Sequence, residues 1–485
     1  MALARRAWPD ALAALIVAAA VFAFFGHAFL NYDSFYALVW GDDLAHGRTP
    51  QYDAPVAPTP HPLATFLGLL LAPLGAAASE TVFLIVVLIA IGALVVGIFR
   101  LGQTIYSTPV GVLAALIVVT RVPLLNFGIR GYVDLPTIAL VVWAAVLEAR
   151  RPRRGAAVMM LLVLAGLMRP EIWLFAAVYW LWCFPARDWS GRLRLAALAA
   201  AAPALWLLSD WVVTGDPLWS VNGTTDLAAE LGRRTGLSAV PEVMPRRLGE
   251  IVRLEYLVAA VIGLAAGLAA TRLRRGTLLA LAVAALNGVA FIVFGVAGLS
   301  LLGRYLFLAS TMIALFAAVA ALGWTALPRK TRFRRRWALG GAVLIVGFLA
   351  LTPWQADRLL DLRSDIADRD RVAADLHELA DQPAVKRAAA ACSPLYVPNH
   401  RPVPDLALWT DTRPKDIVAL PVNPAPDGLY VGPATAESER LSVLDPRDPK
   451  PLGSRVPAPG DGPPNWEREL GRNGSWVAFS AGCGG

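Results

Sequence analysis

Long apolar stretches alternate with short polar or basic connectors over the first 354 residues. They lie at about 10–30, 79–100, 107–125, 133–149, 156–168, 171–185, 193–213, 251–271, 277–297, 301–327 and 337–354. A helix needs roughly 20 apolar residues to cross the hydrocarbon core, and on that measure the pattern predicts eleven membrane spans. The apolar piece at 63–75 reaches only about 20 Å as a helix. It is expected to be interfacial or re-entrant. The stretch 156–185 is expected to go out and return, its short halves turning at Arg169-Pro170-Glu171.

The pattern changes near residue 355. A charged helix candidate covers 356–391, with Leu359, Leu360, Ile366, Val372, Leu376 and Leu379 at helical spacing. Short β-type runs follow at 395–397, 406–409, 417–420, 429–431 and 476–479, separated by Pro, Gly, Asn and Asp. The expected organisation is an α-helical polytopic membrane module over 1–354, with first outer loop 31–62, and a small C-terminal α/β lobe over 355–485.

Composition agrees with a lipid-embedded chain: 57% hydrophobic, 16% charged, mean hydropathy +0.55. Ordinary globular chains carry about a quarter charged residues. The net charge of +8 does not point to nucleic acid. Only four of the 44 basic residues are Lys, and the Arg fall in short runs between apolar stretches, as the positive-inside rule requires. Runs at Arg5-Arg6, 150–154, 187–194, 272–275 and 329–336 read as cytoplasmic. That places the N-terminus inside a plasma membrane and the tail outside, together with loops 31–62, 126–132, 214–250 and 298–303. The tail holds 19 acidic and 15 basic residues, a net −4 that leaves +12 for the membrane part. The first apolar run is expected to stay as an anchor, since no small-residue cleavage site clearly follows it. Cys183 reads as a small buried hydrophobe. An oxidising exterior would allow a Cys392–Cys483 disulfide.

No phosphate-binding glycine motif, zinc-type His spacing or nucleophile elbow is present, and no cofactor is expected, with dependence on a divalent metal left open. The polar residues near the outer face therefore matter most, because such residues are costly in a lipid-embedded bundle unless they bind something. Asp33 directly follows the first span. It stands where a general base would take a proton from an acceptor hydroxyl; its other reading is a helix-end carboxylate capping nearby amides. Asp42 and Asp43 read as a solvated helix face rather than a metal pair, since nothing supplies further ligands at suitable spacing.

The order of these features resembles the GT-C superfamily of polytopic glycosyltransferases that use polyprenyl-phosphate sugars. Protein O-mannosyltransferases, the lipid A aminoarabinose transferase and actinobacterial mannosyl- and arabinosyltransferases belong to it. The resemblance rests on Asp33 after the first span, Gly47-Arg48-Thr49-Pro50, Pro60-His61-Pro62-Leu63 before a short apolar helix ending at Gly75, and Asp134 in Arg130-Gly131-Tyr132-Val133-Asp134. It covers residues 1 to about 185, more loosely to 327, and not the tail. It implies Asp33 as the base that activates the acceptor hydroxyl, with inversion as polyprenyl phosphate leaves. Many members have a second carboxylate where this chain has Ser34. Its absence favours a metal-independent mechanism. Many have Lys or a further Pro where this chain has His61.

His61 has two readings, donor phosphate binding or orientation of Asp33 on one side, and a cap on the start of the 63–75 helix on the other. Arg130 and Asp134 are candidates to pair across the site, or form a surface ion pair. A Pro-broken turn inside a short apolar hairpin should bury Arg169 and Glu171, and a buried Arg needs an anion: Glu171 alone or a lipid phosphate held bidentately. Arg304-Tyr305 resembles the Arg-Tyr near the lipid phosphate in such transferases, or else is interfacial anchoring. Trp219 is the best sugar-stacking candidate among 16 Trp, most of which read as belt residues.

The expected function is transfer of a sugar from a polyprenyl-phosphate donor to an extracytoplasmic glycan, lipid or protein acceptor. The alternatives are a lipid-linked substrate flippase or transporter, and a non-catalytic envelope assembly protein.

Overall fold

The computed structural model describes residues 4–329, 331–420, 427–443, 456–464, 466 and 468–482. This is a multi-pass, mostly helical membrane protein with a small C-terminal sheet. Five helices are long and apolar enough to cross a membrane: Trp8–Phe25, Ala76–Ile105, Trp189–Thr214, Arg274–Val296 and Gly303–Ala326. Three bent pairs raise the number to eight if each counts as one span. The eleven apolar stretches therefore are not eleven straight spans. The stretch 107–125 breaks by 65° between Thr108–Val119 and Val122–Ile129, where Pro123 cannot continue the preceding helix. The stretch 251–271 begins at a 98° break whose hinge, Arg253, has φ +78°. Stretches 156–168 and 171–185 form the helices Ala156–Gly166 and Ile172–Cys183, each about 17 Å long. The 63–75 piece is the short helix Pro62–Leu71 and a 3-10 turn, Ala72–Leu74.

The chain divides into two compact units. One comprises Met1–Phe24, Ile85–Leu208 and Arg234–Arg363; the other comprises Phe25–Leu84, Ser209–Arg233 and Ser364–Gly485.

In the first unit, Phe307–Leu322 is the central helix, with all but two of its 16 residues buried. Leu254–Ala269 packs on it so closely that a Cβ at Gly263 would overlap the Phe316 carbonyl. The breaks after Val119 and Val252 leave backbone carbonyls that in lipid need partners within the protein. Buried Arg121 donates to Ile117 O at 3.1 Å and Val252 O at 3.3 Å, and Gln355 donates to Thr120 O at 2.6 Å. The Arg121 guanidinium also lies 4.5 Å over the Tyr256 ring.

In the second unit, much of 31–62 is not loop. Tyr32–Ala45 is a 14-residue helix with nine buried residues, and Trp219–Glu230 likewise forms within 214–250. Tyr32–Ala45 crosses Pro62–Leu71 in backbone contact: a Cβ at Gly68 would overlap Ala37 O, and one at Gly41 would overlap the Gly68 backbone. The charged helix of the tail is split into Thr352–Asp381 and Pro383–Ala391, since a residue before Pro is driven out of the helical region.

The sheet comprises β1 (Leu395–Val397), β2 (Ile417–Ala419), β3 (Gly428–Pro433), β4 (Arg468–Arg472) and β5 (Trp476–Ala481), in the order β2-β1-β3-β5-β4. β1 pairs in parallel with β2 and β3, and β5 pairs antiparallel with β3 and β4. One core joins Leu395, Leu429, Val431 and Trp476 to Tyr36, Trp40 and Tyr52; a second gathers Tyr396, Tyr430, Trp466 and Phe479. Residues 406–409 are helical, not extended. They belong to Val403–Thr410, where Val403, Leu406 and Ala407 are buried at the i, i+3, i+4 spacing of one helix face. Cys183 is a free, buried thiol. Cys392 is disulfide-bonded, and Cys483 lies outside the described residues.

Candidate active site

The first unit brings distant charges into one buried cluster. Asp134 is the first residue of helix Asp134–Arg150 and is 3% exposed. Arg169 sits in the turn between Ala156–Gly166 and Ile172–Cys183 and is 4% exposed. Arg169 Nη2 is 3.3 Å from Asp134 Oδ1, and its Nε donates to Glu171 Oε1 at 3.0 Å. Arg304 Nη1 reaches Asp134 Oδ2 at 4.0 Å. Arg169 thus has two carboxylate partners, not Glu171 alone. Asp134 pairs with Arg169 and Arg304, while Arg130 lies over Tyr132.

Arginines and tyrosines alternate through this cluster. Arg130 and Arg304 each stand 5.5 Å from the Tyr132 ring centroid, Arg304 is 5.7 Å from that of Tyr305, and Arg169 is 4.5 Å from that of Tyr305. Such stacking favours cations. It gathers the guanidiniums of Arg130, Arg169 and Arg304 around the carboxylates of Asp134 and Glu171. Asp134, Arg169, Glu171, Asn287, Arg304 and Tyr305 line one pocket. Desolvated charges are tolerable only when paired, and the two guanidiniums lining this pocket, Arg169 and Arg304, meet the carboxylates of Asp134 and Glu171. Asn287 was not evident as a site residue from the sequence, although a lone amide in an apolar span is a signal of its own.

The second unit holds Asp33. Asn31 caps helix Tyr32–Ala45, its Oδ1 accepting from Asp33 N at 2.8 Å and Ser34 N at 3.3 Å. The cap is therefore Asn31, not Asp33, and the partly exposed Asp33 carboxylate stands in the first turn. The neighbouring Tyr32 hydroxyl donates to Val56 O at 3.0 Å. Val56 has φ +59°, an outlier for a β-branched residue.

His61 is buried at the N-cap position of Pro62–Leu71, and its ring makes no capping hydrogen bond. Asp42 and Asp43 are not a solvated face. Arg48 pairs with Asp42 at 2.8 Å and with the buried Asp43 at 2.9 Å, and Arg413 approaches Asp43 at 3.7 Å. Burial pushes the Asp43 carboxyl up, against the pull of Arg413 and Arg48. Trp219 packs, half-buried, on the core of its unit. Among the described residues no group of three His, Cys, Asp or Glu is placed to hold a metal ion.

ArnT from Cupriavidus metallidurans bound to undecaprenyl phosphate superposes with a TM-score of 0.56 at 13% identity, over 96% of this chain and 97% of that one. The chain has the fold of ArnT. The apo form of ArnT aligns at a TM-score of 0.53 and 13% identity, over 99% of this chain and 98% of that one. The archaeal oligosaccharyltransferase AglB from Archaeoglobus fulgidus, in complex with an inhibitory peptide and a dolichol-phosphate, aligns at 0.48 and 11% identity, over 90% of this chain and 70% of that one. No family model and no curated protein matches the sequence. ArnT is a GT-C aminoarabinose transferase, so the similarity read from short motifs in residues 1–185 extends, as fold, over nearly the whole chain. It includes the tail, which those motifs did not reach.

Proposed function

We propose that the protein is an integral membrane glycosyltransferase that moves a sugar from a polyprenyl-phosphate donor to an extracytoplasmic glycan, lipid or protein acceptor. The observation that carries this reading is the convergence of Arg169, Arg304 and Tyr305 at buried Asp134, in a chain with the fold of ArnT. Arg169 and Arg304, with Tyr305, hold the donor phosphate through charge-assisted hydrogen bonds. His61 assists on the donor side, and Asp33 is the general base.

In the reaction, Asp33 takes the proton of the acceptor hydroxyl as that oxygen bonds to the anomeric carbon. The carbon–oxygen bond to phosphate breaks with inversion, and the electron pair leaves on polyprenyl phosphate. Cationic groups already fixed by their ion pairs stabilise that developing charge without reorganising. On this reading the N-terminus is cytoplasmic, the lobe extracytoplasmic, and Cys392 pairs with Cys483.

The test is incubation of purified protein in lipid nanodiscs with polyprenyl-phosphate sugars and an envelope extract as acceptor. Release of polyprenyl phosphate together with glycosylated acceptor supports the proposal. Binding of the donor, or its movement across the bilayer, with the sugar–phosphate bond intact would favour the flippase reading.

A further inference from the structure

Past Thr277, helix Arg274–Val296 has one polar side chain, Asn287, which is 3% exposed. A primary amide in an apolar span is costly unless both its ends are satisfied. Both are. Asn287 Nδ2 donates to Tyr305 O at 2.9 Å, and Oδ1 accepts from Ala309 N at 2.9 Å. A backbone carbonyl and a backbone N–H fix which way the amide points, so its orientation follows from its partners.

The two partners lie on either side of a junction. Tyr305 belongs to the 3-10 turn Gly303–Leu306, and Ala309 is the third residue of helix Phe307–Leu322. The first N–H groups of a helix have no partner within it. Leu306, at the N-cap, has no side-chain acceptor to offer. Asn287 supplies that acceptor from another helix, and the same amide grips the turn that carries Arg304 and Tyr305.

We propose that Asn287 is a positioning residue that holds the Arg304–Tyr305 turn in register for anion binding, which rests on the donor-phosphate reading above. Its amide ties the turn to the start of the buried central helix. Arg304 thereby stays at Asp134, and the Tyr305 ring stays under Arg169. Without it the turn gains freedom, and the arginines no longer meet a phosphate in one fixed geometry.

The experiment measures polyprenyl phosphate affinity, donor KM, kcat and melting temperature for the wild type, Asn287→Leu and Asn287→Ser in nanodiscs. Neither substitution adds charge, and Asn287→Ser keeps the site unstrained if the bulkier apolar variant does not fold. Loss of the two hydrogen bonds is expected to raise Kd and KM about tenfold, with kcat within about threefold of wild type. A residue that only caps a helix would lower the melting temperature and the active fraction and leave KM and Kd unchanged; that result overturns the inference. If the wild type itself binds no polyprenyl phosphate, the donor-phosphate reading fails first and takes this inference with it.

Discussion

Arg169 and Asp134 meet at 3.3 Å with side chains 5% and 3% exposed. Removing one partner of such a pair leaves the other buried and uncompensated, at a cost of about 3–5 kcal/mol. Arg169→Ala should therefore lose stability and phosphate binding together, which alone does not separate the two roles. Arg169→Lys does separate them. It keeps a charge for Asp134 and Glu171 but loses the planar fork that matches phosphate. Melting should stay close to wild type while polyprenyl phosphate affinity falls about tenfold. Unchanged affinity in Arg169→Lys would make the site a structural ion pair.

The crossing of Tyr32–Ala45 over Pro62–Leu71 has no room for a side chain at Gly68. Gly68→Ala should push the two helices apart and cost about 1–3 kcal/mol, the usual range for overpacking. Gly249→Ala is the control, since a Cβ there meets nothing within 4 Å. Thermal unfolding of both variants checks this, and equal melting temperatures would contradict the close contact.

Much of this architecture was legible in the sequence, and the failures have physical causes. Hydropathy registers apolarity but not breaks, so 107–125 and 251–271 read as straight spans although Pro123 and the left-handed Arg253 bend them. Asp33 stands out locally in the sequence as a carboxylate just after a span. The partner of Arg169 does not: Asp134 is far away in sequence and meets it only through tertiary packing. Leu406 to Trp409 was read as a strand because four apolar-rich residues fit either period. β4, polar and at the sheet edge, gave no hydrophobic signal.

His377 lies between Glu80 at 3.6 Å and Asp405 at 3.4 Å, with the Trp409 ring stacked on it at 4.4 Å. Burial opposes its charge, but the hydrogen bond to Asp405 and the fields of Glu80, Asp405 and Asp370 outweigh it and raise its pKa above the ordinary 6.5. Burial pushes the Asp405 carboxyl up as well. Both shifts mean the folded state binds a proton more tightly than the unfolded one. The His377 contribution is fully present below pH 6.5 and is lost as pH rises through its folded value, whereas the Asp405 contribution fades from pH 3.8 upward. Melting temperature should fall as pH rises from about 6 to 8, and His377→Gln should flatten that dependence. An unchanged pH profile in His377→Gln would remove this pair from the account.

Orientation is tested by engineered cysteines. A label at Ser190→Cys, in the basic segment after Arg187, should require membrane permeabilisation. A label at Glu437→Cys, whose parent side chain is 56% exposed, should not. Equal labelling of both from outside would contradict an extracytoplasmic lobe.

Turnover of Asp33→Asn tests the central claim most directly. The amide keeps the shape of the carboxylate but cannot take the acceptor's proton. Loss of general-base help should lower transfer from polyprenyl-phosphate sugar by about 10²–10⁴, with donor affinity within about threefold of wild type. Near-normal turnover of Asp33→Asn in the same assay would contradict Asp33 as the base.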